Sequence, residues 1–512
     1  MRLPRVVSGK GPRAAAATAW VRTVLAVALG GVLLHVAARF TSKALDYLRS
    51  PYSRDYGEGC VLAMVQLLDD LGTYFTSLRD YPFVHGNYPP VFIGLVWPFY
   101  RLLGPSLFVP RLLSLLATLG LLAVLHALLR RLSASPGVAA ALTGLAAAPW
   151  FVQTWAPLGR VDMLALLFSL AGVLAFVRGA RPSLVFALFW LGFFTKQNAL
   201  LAPAAVLLHV AANGRWREAA RAAAGFTLPL VILFAALSSA TGGEAFRHLV
   251  TYTAAAEYEP ARMGGSYLEF LRVAWPLLGL IAWNVARRPR SFATGPPRLV
   301  LLHWLLSLVG LATIAKAGAA QNYYIEPWLT TVVLAGVSLS SAGAAASPSR
   351  EAGPARPGVD PAPPAAGGRT AGPAPRLSHA AVLLLAAAVG HYTSNRAHRI
   401  PSAIRHPERA RDLARLWDVV REARGPVLSE NLSVLVLNRK QVLLEPFGVL
   451  LLTRTGHIEP ARLVRDCEAR RFELVVVEHR LEEIPGLGEC LARRYVPTED
   501  LGAYRLLRPG GS

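Results

Sequence analysis

Apolar residues in this chain gather into long runs, and nearly every charge falls in the short stretches between them. A run of about twenty residues makes a helix able to cross ~30 Å of hydrocarbon. The first run, 20–40, is too long for a signal-peptide core and lacks a convincing cleavage site, which predicts a retained helix. Further runs at 107–129, 138–156, 163–177, 183–195, 198–212, 223–240, 267–286, 299–315, 328–343 and 378–392 bring the expected transmembrane helices to eleven. The stretch 91–103 is short, contains Pro98 and carries Arg101, so it is expected to lie in the interface as a juxtamembrane helix.

The pattern changes twice towards the C-terminus. Residues 344–377 form a Pro/Ala/Gly/Arg tract without apolar periodicity, expected to be a disordered cytoplasmic linker before the last membrane helix at 378–392. From 393 to 512 the period alternates between strand and helix. Helices are expected at 407–424, 460–471 and 487–494, and strands at 427–429, 472–478 and 504–507. The fold expected is a polytopic α-helical membrane protein: a transmembrane domain over 1–343 with a first outer loop at 41–107, plus a small extracytoplasmic α/β domain.

Composition agrees with lipid: 54% of the 512 residues are hydrophobic, 16% are charged, and the mean hydropathy is +0.40. The net charge of +22 invites a nucleic-acid partner, but the Arg residues are spaced between apolar runs and are not interleaved with aromatics. Topology accounts for them better. With 91–103 kept out of the bilayer, the inner loops and N-terminal tail hold nineteen Lys/Arg, against five in the short outer loops: Arg160, Lys196, Arg247, Arg262 and Lys316. That places the N-terminus in the cytoplasm and the C-terminal domain outside. The Arg- and Ala-heavy composition suits a GC-rich bacterium, hence a bacterial plasma membrane. Cys60, Cys467 and Cys490 are too few for a zinc site or a disulfide framework. The last two fall in the external domain, where pairing is permitted.

Polar residues collect at the outer helix ends. Asp55, Glu58, His85, Asn87 and Tyr88 lie in the first outer loop. Arg160, Asp162, Lys196, Gln197, Asn322 and Tyr323 lie in later turns. Ionisable groups at such depth are costly unless paired or facing a wet cavity. Lys196 reads either as a lysine snorkelling to the interface or as a ligand for an anion; the charge bias against outer Lys favours the ligand. Arg160 and Asp162 read equally as a local ion pair at a helix start. Asp55 and Glu58 read equally as a capping box, although Gly57 and Gly59 weaken the helix start. His85 and His248 read as ordinary loop histidines, and Glu257 and Glu259 as a solvated acidic loop.

The stretches Asp55-Tyr-Gly-Glu-Gly59, Gly86-Asn-Tyr-Pro-Pro-Val91, Gly159-Arg-Val-Asp-Met163, Thr195-Lys-Gln-Asn198 and Gln321-Asn-Tyr-Tyr324 resemble the GT-C superfamily of polytopic glycosyltransferases. Protein O-mannosyltransferases and the lipid A aminoarabinose transferase belong to that superfamily. The resemblance implies a polyprenyl-phosphate sugar as donor, a lipid, glycan or protein acceptor, and transfer with inversion on the non-cytoplasmic face. It implies that Asp55 acts as base or as ligand to a divalent metal, with Asp162 as a second acidic position. Many relatives carry adjacent Asp-Glu where Tyr56 and Gly57 intervene in this chain, so Glu58 is an alternative base. Arg160 and Lys196 are the expected donor-phosphate contacts, with Asn87, Tyr88, Gln197, Asn322 and Tyr323 expected to bind substrate. The rival class is a transporter or lipid flippase, which would show internal repeats and midplane polar sites.

Overall fold

The structure is a computed structural model, and it describes residues 12–132, 134–344, 383–387 and 407–511. Its membrane portion is built of helices α1 (Pro12–Arg49), α2 (Tyr56–Leu71), α3 (Pro90–Leu103), α4 (Phe108–Arg131), α5 (Pro136–Ala146), α6 (Trp150–Trp155) and α7 (Asp162–Val177). These are followed by α8 (Pro182–Thr195), α9 (Leu201–Ala211), α10 (Trp216–Ala240), α11 (Glu244–Phe246), α12 (Pro260–Arg287), α13 (Gly295–Leu311) and α14 (Ile325–Ala344). The chain is a multi-pass helical membrane protein, and five of the described helices are long and apolar enough to cross a bilayer.

Several expected boundaries shift for local reasons. The run 138–156 is not one helix: Pro149 cannot donate to the helical ladder, and α5 ends before it while α6 begins after it. The stretch 91–103 is helical as α3, with Pro98 inside it. The linker expected at 344–377 lies outside the described residues except for Ala344, and of 378–392 only 383–387 are described, as helix.

Helix lengths shape the site. At 1.5 Å per residue α1 is about 57 Å long, so it continues well past the ~30 Å hydrocarbon layer, and its last turns stand among the loops. By contrast α7, α8 and α9, with 16, 14 and 11 residues, reach about 24, 21 and 16 Å. None of the three matches the layer alone, so the turns joining them lie within the depth the longer helices span.

The C-terminal unit is a four-stranded sheet in the order β1-β2-β4-β3: β1 (Val427–Ser429), β2 (Leu474–Val477), β3 (Tyr495–Leu501) and β4 (Tyr504–Pro509). β1 pairs with β2 in parallel, and the other two pairings are antiparallel. β3 was not expected from the sequence, because its middle residues are largely exposed and Pro497 interrupts the alternation. The short helices Leu432–Leu437 and Pro446–Arg454 were likewise unexpected. Cys467 and Cys490 form a disulfide joining helix Ala461–Glu468 to helix Leu487–Arg494.

This unit does not hang free of the first loop. Phe83 forms a parallel bridge with Leu444, accepting from Glu445 N at 2.8 Å and donating to Leu443 O at 2.8 Å, and its ring joins the core of the C-terminal unit. Helix Leu432–Leu437 packs along α2.

Candidate active site

The residues of the 55–59 stretch face different neighbours, with Asp55 and Gly57 sharing Arg160. Asp55 caps α2, its Oδ1 accepting from Gly57 N at 3.0 Å. The same oxygen accepts from Arg160 Nη1. Tyr56 donates to Glu445, a buried carboxylate in the C-terminal unit that also accepts from Phe447 N and Gly448 N. Burial pushes the Tyr56 phenol and the Glu445 carboxyl up from their ordinary values. The two glycines are places of close approach. A Cβ on residue 57 would stand 1.7 Å from Arg160 Nη1, and one on residue 59 would stand 3.0 Å from Ser433 N. They weaken the helix start but let a guanidinium and a second helix lie against it.

Glu58 turns the other way and is saturated. It is 0% exposed, as is Arg111 at the start of α4. The two form a bidentate pair, Nε to Oε1 at 2.7 Å and Nη2 to Oε2 at 2.8 Å. Glu58 also accepts from Gly159 N at 3.0 Å and Arg54 N at 2.8 Å. Arg111 donates further to the carbonyls of Tyr47, Ser50 and Tyr52. One buried pair thus joins the end of α1, the start of α2, α4 and the turn before α7. With four donors on its two oxygens, Glu58 spends its accepting capacity on the protein, which sets it apart from Asp55.

The second cluster is incomplete. Lys196 Nζ and Asn322 Nδ2 both donate to Asp162 Oδ1 at 2.7 Å, and the ammonium lies 4.8 Å from the Tyr323 ring centroid. Burial alone would pull the Lys196 ammonium down, but Asp162 outweighs it and holds the group charged, well above its ordinary range. Arg160 Nη2 donates to Tyr88 OH at 2.7 Å, and Gln197 Nε2 donates to Asn87 O at 3.1 Å. Every expected site residue except Glu58 therefore falls in one connected region. Asp162 Oδ2, Asn87 Oδ1, Gln197 Oε1, Asn322 Oδ1 and Arg160 Nε are buried there without a hydrogen-bond partner. Unpaired buried polar atoms on this scale call for a ligand or ordered water. Asp162, Lys196, Asn198, Ser307, Thr313, Asn322, Tyr323 and Glu326 form the polar part of a cavity of about 120 Å³, whose remaining lining includes Ala165, Leu166, Leu201, Leu311 and Pro327.

Among the described residues, the one group of three ligand-type side chains within 4.8 Å is Glu430, Glu478 and His479, and Asp55 is outside it. The nearest charge to Asp55 is a guanidinium, which opposes a second cation.

His85 and His248 are structural. His85 Nε2 donates to His248 O at 2.9 Å, His248 Nε2 donates to Thr76 O at 2.7 Å, and His248 Nδ1 accepts from Gly86 N at 2.8 Å. Burial lowers them to about 4 and about 3 respectively. Arg111 is the residue the motif reading missed. Its signal was present: a lone Arg inside an apolar run demands a buried partner. Glu430, Glu445 and Arg480 carried no comparable signal, since charges are ordinary in a mixed α/β segment.

No known family model matches the chain, and no curated protein does. Two solved structures share its fold. ArnT from Cupriavidus metallidurans in the apo state matches with a TM-score of 0.57 at 16% identity, covering 97% of this chain and 100% of that one. The same protein bound to undecaprenyl phosphate matches with a TM-score of 0.59 at 16% identity, covering 97% and 99%. Over nearly its whole length, this chain is thus similar in fold to ArnT.

Proposed function

We propose that this protein is an inverting membrane glycosyltransferase that moves a sugar from a polyprenyl-phosphate donor to an acceptor on the extracytoplasmic side of a bacterial plasma membrane. The observation that carries the proposal is the connected, undersaturated cluster of Asp55, Arg160, Asp162 and Lys196, recessed among short helices beside a partly apolar cavity. Its fold neighbour ArnT has been solved with undecaprenyl phosphate, a ligand whose phosphate suits such cations and whose chain suits a groove between helices. The disulfide supports an oxidising compartment for the C-terminal unit, as the charge bias of the loops does.

Roles follow from the contacts. Asp55 is the base. The acceptor hydroxyl gives it a proton as its oxygen attacks the anomeric carbon from the face opposite the phosphate. The bond from that carbon to the phosphate oxygen breaks, and its electron pair leaves on the lipid phosphate, which Arg160 and Lys196 stabilise. In the resting site these cations are neutralised by Asp55 and Asp162. An arriving phosphate draws Arg160 away from Asp55 and frees the base only when donor is bound. Asp162 and Asn322 aim Lys196, Tyr88 aims Arg160, and Asn87, Gln197 and Tyr323 face the sugar. Glu58, held by Arg111, accepts from Gly159 N and is the brace that sets the Gly159–Arg160 turn against α2.

The test is incubation of the purified protein in liposomes with radiolabelled polyprenyl-phosphate sugars. Transfer or donor cleavage, lost in Asp55→Asn, is expected. Vectorial movement of intact donor without bond cleavage would make the protein a transporter instead.

A further inference from the structure

Asp55 also lines a second cavity, of about 180 Å³, on which the donor reading makes no demand. Its opposite wall belongs to the C-terminal unit and includes Glu430, Ser433, Glu478, Arg480 and Tyr504. Glu430 is the informative residue. It is 1% exposed, and its Oε1 accepts from His479 N at 3.0 Å and Leu481 N at 2.9 Å. Its Oε2 is buried with no hydrogen-bond partner, and so is Arg480 Nη1. The two atoms stand 3.8 Å apart, beyond hydrogen-bond reach, and Arg480 Nη1 lies 3.5 Å from Glu478 Oε2.

A buried acceptor and a buried donor side by side, joined by a loose ion pair but without a hydrogen bond on either atom, suit a ligand that can both give and take a hydrogen bond. A divalent cation would suit Glu430, Glu478 and His479, but the Arg480 guanidinium close to both carboxylates opposes it. A simple anion would suit Arg480 and Arg54, but it would meet the three carboxylates of Asp55, Glu430 and Glu478 in the same lining. Neighbouring hydroxyls of a sugar ring fit both: one donates to the carboxylate and the next accepts from the guanidinium. The hydroxyls of Ser433 and Tyr504 extend the same chemistry around the wall.

We infer that this cavity is the acceptor subsite, and that the acceptor presents a carbohydrate whose paired hydroxyls engage Glu430 Oε2 and Arg480 while another reaches Asp55. The assignment rests on Asp55 being the base. It would confine the acceptor to a glycan or glycolipid and give the C-terminal unit a direct part in choosing it.

The test uses the full-length protein in nanodiscs, with methyl pyranosides of gluco, manno and galacto configuration as probes, read by saturation-transfer NMR. Undecaprenyl phosphate binding is measured on the same samples. At least one pyranoside should bind the wild type. Its affinity should fall at least about ten-fold in Glu430→Gln, the loss of one charge-assisted hydrogen bond, and less in Glu478→Gln. Lipid phosphate binding should be unchanged in both. Should Glu430→Gln fail to fold, the solvent-accessible Glu478→Gln carries the comparison. Absence of pyranoside binding, or equal binding to all three proteins, overturns the inference. So does tight Zn²⁺ or Mg²⁺ binding abolished by Glu430→Gln, which would assign the cluster to a metal. Failure of the base assignment shows separately, as full transfer by Asp55→Asn, and leaves the pyranoside result standing.

Discussion

Two acid–base pairs lie on either side of one helix start, and they are built to opposite rules. Glu58 and Arg111 are both fully enclosed, and each spends its hydrogen-bonding capacity on the protein. Asp55 and Arg160, with Asp162 and Lys196 beyond them, are partly open and leave buried oxygens unpaired. The sealed pair cannot change partners without leaving a charge uncompensated. On the proposed reading, the open one exchanges a carboxylate for the donor phosphate. Two residues, Tyr56 and Gly57, separate the open carboxylate from the sealed one.

The largest expected effect separates the two directly. Asp55→Asn should lower transfer by about 10²–10⁴-fold, the usual contribution of a general base, without lowering the thermal midpoint. Glu58→Gln should do the reverse in kind. Removing one partner of a buried ion pair destabilises by about 3–5 kcal/mol, which thermal unfolding in detergent reads as a lowered midpoint. Equal losses of stability in both variants would erase the distinction.

Within the open cluster, the sign of the effect is diagnostic. Lys196→Ala should weaken undecaprenyl phosphate binding by about ten-fold or more, the loss of a charge-assisted contact. Asp162→Asn should tighten it, because the ammonium is then no longer neutralised. A microscale binding titration settles both. Gly57→Ala should cost about 1–3 kcal/mol where its Cβ meets Arg160, and should raise the donor KM more than it lowers kcat.

The smallest effect lies in the histidines that fix the first loop. Their folded values, about 4 for His85 and about 3 for His248, fall below the ~6.5 of an unfolded histidine. The unfolded chain therefore binds more protons in that window, and stability rises with pH through it. The thermal midpoint should fall as pH drops from about 6.5 towards 4, and His248→Asn should flatten the slope.

Much of this was legible in the sequence, and the gaps have physical causes. The outer turns that build the open cluster stand out because a charge at a helix end needs an explanation, and Lys196 needed one most. The sealed pair was half legible: Glu58 was visible in its motif, but Arg111 sat in a run read only for its apolarity. Gly57 and Gly59 looked like defects of a cap because their reason is tertiary, a guanidinium against one and Ser433 against the other. The bridge from Phe83 to Leu444 joins residues far apart in the chain with no local signature, so the docking of the C-terminal unit was not readable. The break at Pro149 was readable and was overridden by hydrophobic run length.

The central claim is that the open cluster receives a lipid phosphate. A structure of the full-length protein with undecaprenyl phosphate tests it most directly. The account predicts the phosphate within hydrogen-bond distance of both Lys196 and Arg160, with Arg160 drawn off Asp55 and the Glu58–Arg111 pair unmoved. A phosphate seated elsewhere, such as beside Arg178 and Arg181 in the turn between α7 and α8, would contradict it.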